Sequence, residues 1–467
     1  MSSARTFRQE MLRTWARIGT KFLPFADVAT PTLPLSRLLR LSLFQISVGM
    51  ALVLMIGTLT RVMIVELHVP ATLVGLMISL PLLAAPFRAV IGFRSDHHRS
   101  ELGWRRVPYI WMGTLVQFGG LSIMPFALLV LSGLGHASHA PAWVGQAGAA
   151  IAFLLVGAGL HTTQTVGLAL ATDLAPPESR PKVVGLMYVM LLLGMMGSAV
   201  VFGLALAEFS PFQLIQVIQA SAVTTLVLNT IALWKQEPRK RSTHAATDAP
   251  AEFSGAWQLY CRGEQAPRRL LAIGLGTMAF TMEDVLLEPY GGEILHLTVG
   301  DTTLLTATLA IGGLLGFALA SRVLSRGMDP LRLAGLGAVT GLPAFALVIF
   351  AAPTGLPWMF ALGTALIGFG AGLFGHGTLT ATMNLAPASQ SGLALGAWGA
   401  VQATGAGVAV ALSGILRDLA AMFGGAAFGY TSVYTLEIVL LALTIITLRP
   451  LLRQNLPSGK LSNNSVA

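Results

Sequence analysis

The chain has 467 residues, 54% of them apolar and only 10% charged, with a mean hydropathy of +0.72. Soluble domains carry about 25% charged residues, so this composition excludes a soluble globular protein and points to an integral membrane protein. The apolar runs are continuous and helix-length, which excludes a β-barrel, and the net charge of +9 is explained by location rather than by a nucleic-acid partner. A single cysteine, Cys261, rules out an intrachain disulfide framework, and 51 glycines suit helices in close backbone contact.

Residues 1–38 contain no apolar core followed by a small-residue cleavage site, so they are not read as a cleavable signal. Phe7, Met11, Trp15, Ile18 and Phe22 recur at helical spacing, with Arg5, Arg8, Arg13 and Arg17 largely elsewhere around the wheel. That pattern predicts a cytoplasmic amphipathic helix lying on the anionic surface of the bilayer, anchored by Trp15.

Twelve apolar runs long enough to span follow, near 41–65, 70–93, 107–132, 145–172, 183–207, 212–234, 269–288, 302–324, 331–352, 356–383, 392–416 and 430–449. They divide into an N-terminal half (39–234) and a C-terminal half (269–449), with a tail at 450–467. Between the halves, 235–268 holds KQEPRKRSTHAATDAP, which cannot form a packed core and reads as a cytoplasmic linker. With the N-terminus inside, 26 of the 29 lysines and arginines fall on the inner side, leaving Arg61, Arg88 and Arg417. The positive-inside rule therefore predicts that both termini are cytoplasmic.

An internal repeat supports two halves. GAGL at Gly157–Leu160 recurs at Gly370–Leu373, Asp173-Leu-Ala-Pro176 recurs as Asn384-Leu-Ala-Pro387, and Gly185 and Gly396 keep the latter offset of 211. Spans 4–5 correspond to spans 10–11, as expected for an all-α major facilitator fold with a site between two parallel six-helix halves. The loop after span 2 agrees: Gly92, Asp96, Gly103, Arg105 and Arg106 resemble the facilitator loop motif, although seven positions rather than the usual three separate Asp96 from Gly103. The aspartate is suited to cap or pair with a neighbouring helix end. His97 and His98 in this loop read as solvated rather than as a metal site.

One stretch departs from its surroundings. TMEDVLLEPYGGE, Thr281–Glu293, brings Glu283, Asp284 and Glu288 into an apolar span, next to a Pro-Tyr-Gly-Gly break that includes Tyr290. Acids inside a span usually face the protein interior or a wet cavity and pair there. A solvated cap at the helix end is the competing reading. If they are interior, the expected partner is Arg61, which lies at comparable depth on span 1, with Asp284 or Glu288 closing a latch between the halves.

The runs Arg37–Leu67 and Leu80–Gly120 and the segment DVLLEPYGGE resemble the PucC/LhaA family, the bacteriochlorophyll-delivery branch of the major facilitators in phototrophic bacteria. The resemblance covers nearly the whole chain, and DVLLEPYGG is specific to that branch. It implies assistance in assembling light-harvesting antenna complexes in the intracytoplasmic photosynthetic membrane. The implied cofactor is bacteriochlorophyll, and the implied partners are antenna polypeptides, with the reaction-centre core complex or bacteriochlorophyll synthase as further ones.

A pigment of that kind presents a magnesium wanting one axial ligand and keto groups wanting hydrogen-bond donors. Neutral imidazole suits the magnesium. His161 and His376, inside spans 4 and 10, are the ligand candidates, and Gln164, one turn from His161, is a donor for a keto group. A buried histidine that only joins two helices by hydrogen bonds is the plainer alternative. No metal cluster, phosphate-cradling loop or nucleophile–base pair is evident, so an enzyme is not expected. Two rival functions stay open: a proton-coupled solute transporter that titrates Glu283, Asp284 and Glu288, and a pigment-free scaffold for antenna helices.

Overall fold

The computed structural model describes residues 33–83, 91, 94–95, 103–133, 141–176, 179–237, 265–385 and 391–454. The expected N-terminal amphipathic stripe, Gly92, Asp96, His97, His98 and most of the linker lie outside the described residues. Among the described residues every regular element is helical. A bilayer offers no water to backbone groups, so each span must satisfy its own.

The helices are α1 (Leu35–Glu66), α2 (Ala71–Leu83), α3 (Val107–Ser132), α4 (Ala142–Leu174), α5 (Arg180–Ala205) and α6 (Pro211–Leu233), then α7 (Ala266–Glu293), α8 (Val299–Leu324), α9 (Pro330–Thr354) and α10 (Pro357–Leu385). The last assigned run, Ser391–Gln454, has 64 residues, about three times what crosses a bilayer of roughly 30 Å at 1.5 Å per residue. Gly425, with φ 79° and ψ 177°, folds it back into α11 (391–424) and α12 (426–454).

Helix starts are written locally. Proline occupies the first turn of α3, α5, α6, α7 and α9, where its missing N–H costs nothing. Thr298 and Asp301 form a reciprocal capping box on α8, and Asp329 accepts from Leu331 and Arg332 at the start of α9. The ends of α1 and α7 repeat each other. His68 and His296 both turn left-handed, with φ 52° and 54°, each after a leucine whose N–H reaches five residues back. Histidine is one of the few non-glycine residues enriched in that conformation.

In the packing, α1 lies against α5 and α6, α3 against α4 and α6, α10 against α8 and α9, and α7 against the α11–α12 pair. Two seams join the N-terminal helices to the C-terminal ones, α5 against α8 and α2 against the α11–α12 pair. At the first seam the backbones nearly touch: a Cβ on Gly300 would lie 2.7 Å from the Gly203 carbonyl oxygen. The outer face is the one opposite the Lys- and Arg-rich loops.

Candidate functional site

The helix α7 is not continuous. Ala266–Thr281 is α-helical, Glu283–Val285 forms a 3-10 turn, and Leu287–Glu293 resumes the helix. Pro289 accounts for the break, because in an unbroken helix its ring would meet the carbonyl of Val285, four residues back. The turn carries the acids inward. Glu283 is 2% exposed, Glu288 is 3% exposed, and Asp284 is half-buried, so this stretch is not a solvated cap.

Glu288 accepts a hydrogen bond from the Thr306 hydroxyl of α8 and lies against α1 at Gly57, where any Cβ would collide with its carboxylate. Its second oxygen and Oε2 of Glu283 have no hydrogen-bond partner among the described residues. Tyr290 is fully buried and donates to the Val348 carbonyl of α9 at 3.1 Å. Its ring meets Phe360, Tyr430 and Tyr434 edge-on, with centroids 5.4–5.5 Å apart.

Arg61 corrects an expectation. It is 4% exposed and pairs with Glu66 of its own helix at 2.9 Å, not with Asp284 or Glu288. The cause is local: Val62–Glu66 is a π-helix, and that wider register brings residues five apart onto one face. Arg61 still reaches α7. Its guanidinium fills the place a side chain would take at Gly292, and it donates to the Leu297 carbonyl at 3.4 Å.

The charged network at the outer end uses residues that pattern reading passed over. Glu293 Oε2 accepts from Arg417 at 2.5 Å and from the Tyr430 hydroxyl at 2.7 Å. Arg417 also bonds Asp418 at 2.9 Å, and Asp418 Oδ2 accepts from both the backbone N–H and the hydroxyl of Thr72, each at 2.7 Å. Asp418 therefore caps α2 from across the seam. The isolated position of Arg417 on the outer side was the one signal for this network in the sequence.

On the inner side, the described part of the loop motif is a clamp. Gly103 turns left-handed with φ 76°. Arg105 and Arg106 both bond Asp173 of α4, at 2.6 and 3.0 Å, and Arg106 donates to Ser95 at 2.8 Å. Glu237 accepts the N–H groups of Arg105, Arg106 and Val107 and so caps α3.

The histidines are on α4 and α10, which do not pack closely against each other. His161 and Gln164 are half-buried, and His161 is engaged by its surroundings. His376 sits edge-on to Phe317, centroids 4.3 Å apart, and its enclosed Nδ1 makes no hydrogen bond. No cluster of His, Cys, Asp or Glu with metal-holding geometry exists among the described residues.

Among the described residues ten helical runs are long and apolar enough to cross a bilayer, with α11–α12 counted as one run, and together with the α2/α11–α12 and α5/α8 seams they define a multi-pass membrane protein of the major facilitator fold. A point mutant of the nucleoside transporter NupG shares that fold with a TM-score of 0.69, over 89% of this chain and 99% of that one, at 13% identity. The family is more specific. The PUCC protein family model matches residues 58–456, and the chain belongs to that family. Protein PucC of Rhodovulum sulfidophilum is 63% identical over 86% of this chain and 89% of its own length. Protein PucC of Cereibacter sphaeroides is 59% identical over 95% and 98%.

Proposed function

We propose that this protein is an assembly factor for bacterial light-harvesting antenna complexes, binding or delivering bacteriochlorophyll and nascent antenna polypeptides within the membrane. In this reading it sits in the intracytoplasmic photosynthetic membrane, with twelve crossings and both termini cytoplasmic. The reaction-centre core complex and bacteriochlorophyll synthase are the neighbouring partners. Family membership across nearly the whole fold supports the reading, and the observation that carries it to a residue is the state of His376. Its enclosed Nδ1 makes no hydrogen bond among the described residues, which leaves Nε2 as the nitrogen that would meet the magnesium, and Phe317 offers an apolar wall beside the ring. A neutral imidazole so placed fits an axial ligand of the pigment magnesium. His161, already engaged, fits less well, and Gln164 beside it is left to a keto group or to packing.

The test is the absorption spectrum of the gently purified full chain, together with identification of the polypeptides that accompany it. Pigment absorbance is expected in the wild type, retained in His161→Leu and lost in His376→Leu with the fold intact. Antenna polypeptides without pigment would favour a pigment-free scaffold. Unchanged pigment in His376→Leu and in the double variant would remove histidine ligation. A second reading, proton-coupled solute transport, is favoured by the buried carboxyl oxygens that lack partners, and it requires solute flux in proteoliposomes.

A further inference from the structure

Helices α7 and α12 face each other through three rungs of titratable side chains. Tyr430, Tyr434 and Glu437 are spaced i, i+4, i+7 and share one face of α12. Across from them, α7 presents Glu293, Tyr290 and Glu283. At the outer rung the Tyr430 hydroxyl donates to Glu293 at 2.7 Å. At the middle rung the Tyr290 and Tyr434 rings meet at 83° with centroids 5.4 Å apart. At the inner rung the 3-10 turn packs against the α11–α12 pair, and the acidic groups facing Glu437 are Glu283 and Asp284.

The inner rungs are buried and incomplete. Glu437 and Tyr434 are 0% exposed and Glu283 is 2% exposed. Oε2 of Glu283, both carboxyl oxygens of Glu437 and the Tyr434 hydroxyl have no side-chain hydrogen-bond partner among the described residues. Tyr434 is faced by Glu437, Tyr290, Tyr430 and Glu283.

No cation among the described residues pairs with these acids. Arg61 on α1 is turned to Glu66, and Arg417 on α11 is held by Glu293 and Asp418. Glu288 is bonded to Thr306, His376 on α10 stands against Phe317, and α2 carries no titratable side chain in Ala71–Leu83. Two carboxylates brought together in a dry interior without a counter-charge are strongly unfavourable. A proton held by one carboxyl and shared with the other answers the same oxygens.

We propose that the Glu283–Glu437 pair is a proton-binding site, at which one carboxyl keeps its proton and donates it towards the other. Binding forms one O–H bond on a carboxyl oxygen with a proton released by water, and there is no change in oxidation state. Because the pair sits where α7 breaks, its occupancy bears on the shape of the helix at the centre of the fold. The assignment goes beyond pigment handling and does not depend on it.

Infrared spectra of the full chain in liposomes test it. A protonated-carboxyl band is expected at neutral pH, lost in Glu283→Gln and in Glu437→Gln. Absence of the band from the wild type, or its persistence in both glutamine variants, would overturn the proposal. The first of these readouts remains decisive even if a glutamine variant fails to fold. Sodium-dependent thermal stabilisation in place of the band would assign the pair to a metal cation and likewise overturn it. Pigment plays no part in these measurements, so they fail or succeed apart from the antenna-assembly reading.

Discussion

Removing Asp418 should loosen the outer seam by an amount that can be worked from its bonds. One oxygen caps the first turn of α2 through the Thr72 N–H, the same oxygen takes the Thr72 hydroxyl, and the other pairs with Arg417. Loss of an aspartate N-cap costs about 1 kcal/mol. A hydroxyl-to-carboxylate hydrogen bond contributes about 1.5 kcal/mol. The ion pair is partly screened, with the side chains 13% and 23% exposed, and adds roughly 0.5 kcal/mol. Asp418→Ala should therefore cost about 3 kcal/mol. Arg417 is not stranded by this change, because Glu293 still holds it. Asp418→Asn should cost only about 1 kcal/mol, since asparagine caps as well as aspartate and keeps an acceptor for the hydroxyl. Thermal unfolding in mild detergent is the assay, and for a chain of this size the alanine variant should melt about 3 °C lower and the asparagine variant about 1 °C lower. A double-mutant cycle with Thr72→Val should return a coupling of about 1 kcal/mol with Asp418→Ala. Equal losses in the alanine and asparagine variants, or zero coupling, would refute the capping argument.

Three further outcomes follow from the same geometry. Glu66→Leu should be worse than Arg61→Leu, because it strands a guanidinium that is 4% exposed at a cost of about 3 kcal/mol, whereas the glutamate left by the other change is 37% exposed and costs at most about 1 kcal/mol; equal melting temperatures would contradict this. Gly292→Val drives a side chain into the Arg61 guanidinium and should destabilise by about 2 kcal/mol, with most of the loss recovered in an Arg61→Ala background. Asp173→Asn should weaken the inner clamp by about 2 kcal/mol, since it removes the acid from a nearly buried Arg106, and the loop before α3 should become more sensitive to limited proteolysis. Unaltered proteolysis would place the strength of that clamp in Glu237 instead.

Side-chain partnership is where reading the chain in order loses its grip. The 3-10 turn of α7 follows from Pro289, whereas Glu437, a lone acid in an otherwise apolar final span, is a signal that pattern reading passed over. What that face meets is another matter. Glu293 and Arg417 are 124 residues apart, Asp418 and Thr72 are 346 apart, and their encounter depends on how each helix is rotated when packed. Arg61 shows the local form of the same difficulty. Its depth was inferred from span length, but a π-helical turn changed its azimuth and turned it to Glu66, a partner five residues away.

By itself the sequence determined the membrane class, the helix-length spans, the side on which the basic residues collect, the repeated GAGL and Leu-Ala-Pro segments, and the family. These properties depend on composition, on hydropathy over about 20 residues and on local motifs, all of which act before any tertiary contact exists. Only the tertiary structure decided that Glu283 and Glu288 are interior, that Arg61 serves its own helix, and that Asp418 caps a helix across the seam. A span can be recognised from its apolar content at any rotation about its axis. A partner is chosen only when the rotation of two helices is set, and rotation is fixed by the packing of the whole bundle.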